Sequence, residues 1–336
     1  MITYGSLASG IGGLDLAIEA NFDAKMLWKA EYDKYASQVH DKHWPNITNL
    51  HDITEVDWES VEPIDLLTGG YPCQPFSSAG RRKGFDDERN LWPHFAKAIH
   101  ILRPKYVFLE NVSAHLSLGF GQVLGDLAKE GYDAQWGIFA ASSVGAPHTR
   151  KRLFIFAWNR SYSLEDIFSS KLSEIKYEGN ENSKLLPTPL ATDYKGSSFN
   201  LSVHTHNVLL DLANKNLLLP TPKAPDHKGT SSKDRGTVDV AQALINASLI
   251  YAAPFNYGEY QEAIDHWEKL RGEAAPYPLE KKRLNFEFAE WMMGFPIGWT
   301  KGHSATQRLK MCGNAVVPQQ GAYALSQLIH LKELAK

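Results

Sequence analysis

Over its first 158 residues the chain alternates short apolar runs with stretches of helical periodicity, and few folds accommodate that rhythm. Residues 2–6, 26–31, 64–69, 106–111, 135–140 and 153–158 read as strands. Residues 14–20, 34–43, 90–102 and 121–130 read as helices between them. A βαβα order predicts an α/β fold, with a largely parallel sheet and helices on both faces. Ligands of such folds sit at the carboxyl ends of the strands. A glycine-rich turn at residues 9–13, Cys73 and Glu110 all fall at those ends.

The 336 residues suffice for one large domain plus a second. A hydrophobic share of 43% against 22% charged predicts a packed chain rather than a disordered one. No charged-then-apolar leader opens the sequence, and no apolar run approaches the roughly 20 residues that cross a bilayer. A soluble, cytoplasmic protein with no membrane partner is expected. The two cysteines, Cys73 and Cys312, cannot build a disulfide framework, and no Cys/His set has zinc spacing. No metal is expected. The net charge of −3 argues mildly against nucleic acid, where a basic domain is usual. Charge is concentrated locally, however, in Arg81-Arg82-Lys83, Arg150-Lys151-Arg152 and Lys281-Lys282-Arg283.

From about residue 159 the texture changes to polar and loop-rich. Within it, residues 185–197 (LLPTPLATDYKGS) are echoed by residues 218–230 (LLPTPKAPDHKGT). Two copies are too few for a solenoid. A duplicated loop is the better reading, with Lys195 and Lys228 placed either to meet phosphates or bases or merely to occupy equivalent turns. Order returns after residue 283, with helices expected at 286–293 and 319–334.

Several residues carry chemistry. The turn Ser9-Gly10-Ile11-Gly12-Gly13 lets backbone approach a ligand and opens a helix, whose N-terminus favours a negative group. Glu31 ends the second strand, where an acid can accept from two ribose hydroxyls. Asp52 and Ile53 follow, suited to bond and pack on an adenine. Cys73 is held between Pro72 and Pro75, which stiffen its turn. Nearby cations such as Arg150 or Arg152 would lower its pKa and make it a nucleophile. Glu110 lies 37 residues beyond Cys73, after a second buried run. An apolar pocket would raise its pKa and let it act as an acid. Arg152, directly before the last apolar run, can order Glu110.

These blocks resemble the cytosine-5 DNA methyltransferase family of the bacterial and phage type. The matching stretches are 9–13, Glu31, Asp52-Ile53, 69–80, Glu110-Asn111-Val112, Arg150-Lys151-Arg152, 290–296 and 313–318, in family order and over nearly the whole chain. The resemblance implies a Rossmann-like class I methyltransferase fold with a mostly parallel seven-stranded sheet. It implies a discontinuous catalytic domain of residues 1–158 and 301–336, and a smaller irregular target-recognition domain at 159–300. It implies S-adenosylmethionine held by Gly10, Ile11, Gly13, Glu31, Tyr32, Asp52, Ile53, Gly70, Pro72, Leu91, Asn314 and Val316. It implies catalysis by Cys73, Glu110, Arg150 and Arg152 on a cytosine flipped out of double-stranded DNA. Ser77, Arg81, Lys83 and Arg89 would meet DNA from a closing loop. The family further implies a monomer, with a cognate restriction enzyme, where there is one, acting separately.

Two departures stand out. The family's usual aromatic residue two positions before the first glycine is Ala8 here, which should weaken cofactor binding. The usual Gln before the Arg-x-Arg pair is His148. Three other readings are weaker. A tRNA cytosine-5 methyltransferase would carry a Cys-Phe-Thr block, and an amino-methylating enzyme an Asp/Asn-Pro-Pro-Tyr/Phe turn, and both are absent. A binding protein without turnover has only Ala8 in its favour.

Overall fold

Residues 106–109 (YVFL) and 153–157 (LFIFA) are buried on both sides, as a strand in the middle of a two-sided sheet must be. They lie at the heart of the computed structural model, which describes residues 1–71, 90–162, 257, 260–280 and 283–334. Among these, seven strands form one sheet: β1 (Ile2–Leu7), β2 (Ala24–Ala30), β3 (Thr48–Asn49), β4 (Leu66–Gly70), β5 (Tyr106–Val112), β6 (Tyr132–Phe139) and β7 (Arg152–Asn159). Their order is β3-β2-β1-β4-β5-β7-β6. All neighbours are parallel except at β7, which runs antiparallel to both β5 and β6. The expected seven-stranded, mostly parallel α/β fold is what the chain adopts.

The helices divide between the faces. On one side α3 (Trp92–Leu102) and α4 (Phe120–Lys129) pack Trp92, Phe95, Val123 and Leu127 against Leu67, Val107 and Ile155. On the other, α1 (Gly13–Asn21) and the last helix cover Tyr4, Phe108, Phe154 and Phe156 with Leu14, Ile18, Leu325 and Leu328. A third cluster joins α2 (Lys34–His43) to α5 (Gln261–Arg271), α6 (Phe286–Met292) and α7 (Ala305–Asn314). Residues of 257–300 therefore share a core with Ile11, Val39 and Ala141 of the first half. A small hairpin, β8 (Leu279–Glu280) and β9 (Arg283–Leu284), precedes α6.

Capping explains several helix starts. Asp33 accepts from the amides of Tyr35 and Ala36 at the start of α2, and Asn285 does the same for Glu287 at α6. Ser304 and Gln307 form a reciprocal capping box at α7. That Ser-x-x-Gln pattern was a readable signal for a helix otherwise hidden by its polar composition. β6 starts at Tyr132, earlier than its apolar run, because it pairs with β7 as far back as Asn159. Most of its residues up to Trp136 are half-buried or exposed, so apolarity does not mark them.

The closing helix α8 (Pro318–Leu334) is fastened by buried polar contacts. Gln320 Nε2 donates to the carbonyls of Phe139 and Arg150, each at 2.8 Å. Asn21 Nδ2 donates to Ala17 O and, across the chain, to Ala322 O at 3.1 Å. Gln320→Leu leaves two buried carbonyls without this donor, and we expect it to cost about 2–4 kcal/mol in urea unfolding.

Candidate active site

The turn after β1 is built on unusual backbone. Ala8, Gly10 and Gly12 all have positive φ, at 47°, 57° and 90°. Ala8 is thus a side chain held in the left-handed region, its amide donating to Ala30 O at 2.8 Å. Gly13 is required for a different reason: a Cβ there would sit 2.3 Å from Val316 O. The first helix can approach the 313–318 segment only because that position is bare.

Glu31 follows β2 at the same sheet edge and is buried. Its Oε2 accepts from Gly10 N at 2.7 Å and its Oε1 from Asp33 N at 2.8 Å. Burial pushes this carboxyl above its ordinary range, while the two amide bonds pull it back. Tyr32 beside it is 78% exposed. Asp52 is held in a turn by Thr54, whose amide and hydroxyl both donate to Oδ1, and those bonds hold its carboxyl below the ordinary value. Ile53 is buried in the cluster against which Leu91 packs. Val316 is buried against the α1 side, and Asn314 is exposed at the end of α7.

The second group forms where β4, β5 and β7 meet. Register pairs Gly70 with Glu110 and Val112 with Arg152. Side chains alternate with a period of two, so Glu110 and Arg152 are diagonal neighbours on one face. Arg152 Nε donates to Glu110 Oε1 at 2.9 Å. A Cβ on Gly70 would lie 3.1 Å from Glu110 Oε2, so the glycine gives the carboxylate its room. Burial pushes the Glu110 carboxyl up, against the opposing pull of Arg152 and then Arg150. Asn111 Nδ2 donates to Tyr71 O at 3.1 Å and so fixes the chain just past β4.

Arg150 goes elsewhere. Its guanidinium is buried and donates to Gly313 O, with Ala315 O a further acceptor. It ties the entry of β7 to the segment between α7 and α8 and does not join the Glu110–Arg152 pair. His148 is buried too, with its pKa pushed down to about 3 by burial and then by Arg150. It is therefore neutral, and its Nε2–H donates to Met292 O at 3.1 Å. Pro72, Cys73, Ser77, Arg81, Lys83, Arg89, Lys195 and Lys228 lie outside the described residues. Among those described, no three His, Cys, Asp or Glu gather as a metal site, and no helix is long and apolar enough to cross a membrane.

One residue of consequence was not singled out from the sequence: Asn49, whose amide contacts Glu31. It lies in a two-residue strand, too short for any periodicity to reveal.

The model of the C-5 cytosine-specific DNA methylase family matches residues 2–330. The chain belongs to this family. A Type II methyltransferase of Shigella sonnei, M.SsoII, is 26% identical over 95% of this chain and 78% of its own length. M.HhaI of Haemophilus parahaemolyticus is 30% identical over 50% of this chain and 53% of its own. M.BsuFI of Bacillus subtilis is 29% identical over 60% and 48%. With most of these curated relatives the chain spans about half their length. Among solved structures, the S. pombe Dnmt2 methyltransferase is similar in fold, with a TM-score of 0.59 at 17% identity, covering all of both chains. A putative DNA modification methyltransferase encoded within an E. coli prophage gives a TM-score of 0.55 at 19% identity, covering 99% of this chain and 100% of its own.

Because burial raises the Glu110 carboxyl, the folded chain keeps that proton to higher pH than the unfolded one. The stability it contributes is present below the ordinary carboxylate pKa and is lost as pH rises through the raised folded value. Urea unfolding from about pH 4 to pH 8 should show the parent losing stability relative to Glu110→Gln as pH rises. Arg152→Met should move that loss to higher pH. A pH-independent difference between parent and Glu110→Gln contradicts the assignment.

Proposed function

We propose that the protein methylates carbon 5 of a cytosine flipped from a specific site in double-stranded DNA, with S-adenosylmethionine as methyl donor. The observation that carries this reading is a buried acid with a raised pKa, paired to Arg152 and facing Gly70, three residues before Cys73. Chain connectivity alone keeps the Cys73 Cα within about 11 Å of Gly70. Its family and its Type II methyltransferase relatives support the reading.

Carbon 5 of cytosine is a poor nucleophile. Addition of the Cys73 thiolate to carbon 6 places electron density on the ring, and a proton at Glu110 meets the charge on ring nitrogen N3. Carbon 5 thereby becomes nucleophilic. Arg152 holds the Glu110 carboxyl in place and can donate to the base carbonyl. Carbon 5 then takes the methyl group, with a neutral thioether as leaving group, and loss of the carbon 5 proton to water with elimination of the Cys73 thiolate restores the ring. Flipping costs a few kcal/mol of unstacking, which DNA contacts must offset.

The turn and Glu31 fit the nucleoside of S-adenosylmethionine. Each Glu31 oxygen already accepts one amide and retains a lone pair for a ribose hydroxyl. Among the described residues, apart from its chain neighbours, no atom lies within 4 Å of where a Gly10 Cβ would stand, which leaves room at the turn for a ligand. S-adenosylmethionine, when bound, supplies an electrophilic methyl group. Ile11, Gly13, Tyr32, Asp52, Ile53, Gly70, Pro72, Leu91, Asn314 and Val316 complete the proposed pocket. Arg150 is proposed to serve catalysis by fixing the start of β7. The recognition domain proposed for residues 159–300 reads sequence, with Lys195 and Lys228 at phosphates, while Ser77, Arg81, Lys83 and Arg89 grip the flipped site. The protein is proposed to act as a monomer in the cytoplasm, in restriction-modification or phage DNA protection.

Two outcomes test this. Cys73→Ala should abolish methyl transfer to DNA, and should form no covalent adduct with 5-fluorocytosine DNA where the parent does, while retaining DNA affinity. Radiolabel incorporation by that variant rejects the mechanism. Replacing both Lys195 and Lys228 with Ala should reduce the salt dependence of DNA binding by a log–log slope of about 2, one for each lost phosphate contact. An unchanged slope removes these lysines from the interface.

A further inference from the structure

Glu31 lies one residue past the end of β2, where the short partner strand β3 has no further backbone to offer it. The side chain of Asn49, the last residue of β3, fills that role. Its Oδ1 accepts from Glu31 N at 3.0 Å and its Nδ2 donates to Glu31 O at 3.1 Å. One amide thus supplies an extra rung, satisfying both backbone groups of the acid. The rest of the amide is also committed: Oδ1 accepts from His51 N at 2.9 Å, and Nδ2 donates to Ser37 Oγ of α2 at 2.9 Å. Two lone pairs and two N–H groups are all used, so Asn49 has no capacity left for a ligand. What it touches is the residue whose carboxylate spans Gly10 and Asp33.

We propose that Asn49 is a positioning residue for the methyl donor, setting the Glu31 carboxylate at the angle that receives the nucleoside hydroxyls and acting on the ligand only through Glu31. This rests on the reading of Glu31 as the ribose acceptor. The residue type follows from the task, since only a side chain with a donor and an acceptor in one plane replaces a strand rung. A purely structural role, tying β3 and α2 to β2, predicts lost stability with no specific link to Glu31.

The test is a double-mutant cycle on the full chain, read as calorimetric affinity for S-adenosylhomocysteine. Glu31→Ala should weaken binding by about tenfold or more, and Asn49→Ala by about tenfold. The double variant should bind no more weakly than Glu31→Ala alone. In turnover, the Asn49→Ala loss should fall on the KM for the methyl donor and not on that for DNA. Additive effects, or unchanged affinity in Asn49→Ala, overturn the proposal. Should Glu31→Ala bind as the parent does, the ribose reading fails and the inference fails with it. Asn49→Asp keeps the bonds from Glu31 N–H and His51 N–H but loses both donations. It runs through the same cycle with the same criteria where Asn49→Ala does not fold.

Discussion

Strand β7 runs against its neighbours, and the Glu110–Arg152 pair depends on that reversal. In a sheet of parallel strands, only carboxyl ends reach the ligand edge. Turning β7 over brings an amino end there as well, so Arg152, its first residue, arrives beside Glu110, near the end of β5. A cation and an acid drawn from opposite strand directions then share one face at 2.9 Å. The pairing is partly withdrawn from water, so it moderates the desolvation of Glu110 without cancelling it. An acid held this way keeps its proton more readily than one at the surface.

Around that point the molecule uses buried polar side chains as ties between distant segments. Arg150 meets Gly313, His148 meets Met292, and Gln320 meets both Phe139 and Arg150. Glu290, Thr300 and Arg308 make a similar knot inside the third cluster. Leaving any of these donors or acceptors unmatched would cost more than the bond contributes. The ties therefore specify which segments meet, and through Gly13 and Val316 they reach the glycine turn itself.

Much of this was legible in the sequence, for identifiable reasons. The six longer strands are either strongly apolar or bounded by turns, and α2 begins at its Asp cap, as expected for residues 34–43. The acid at Glu31 and the Glu110–Arg152 partnership followed from position at strand ends. The third cluster was not visible, because α5 and α7 are short of apolar residues and contribute a few large ones each, such as Trp267 and Leu309. Arg150 and Arg152 look equivalent in the sequence, two residues apart. Their separation into a buried tether and a partner for Glu110 depends on Arg150 adopting a φ of 25°, which no local pattern announces. Asn49 was missed because its role needs the exact place where a neighbouring strand runs out.

The placement of α8 has a consequence for how the protein is made. This helix follows β1, β5 and β7 in the sequence, at Pro318–Leu334, yet its Leu325, Leu328 and Ile329 pack with aromatic side chains from all three strands. During synthesis those rings emerge long before these side chains of α8 do. The nascent sheet therefore has α1 on that flank first and gains the rest of its cover only once α8 has been made.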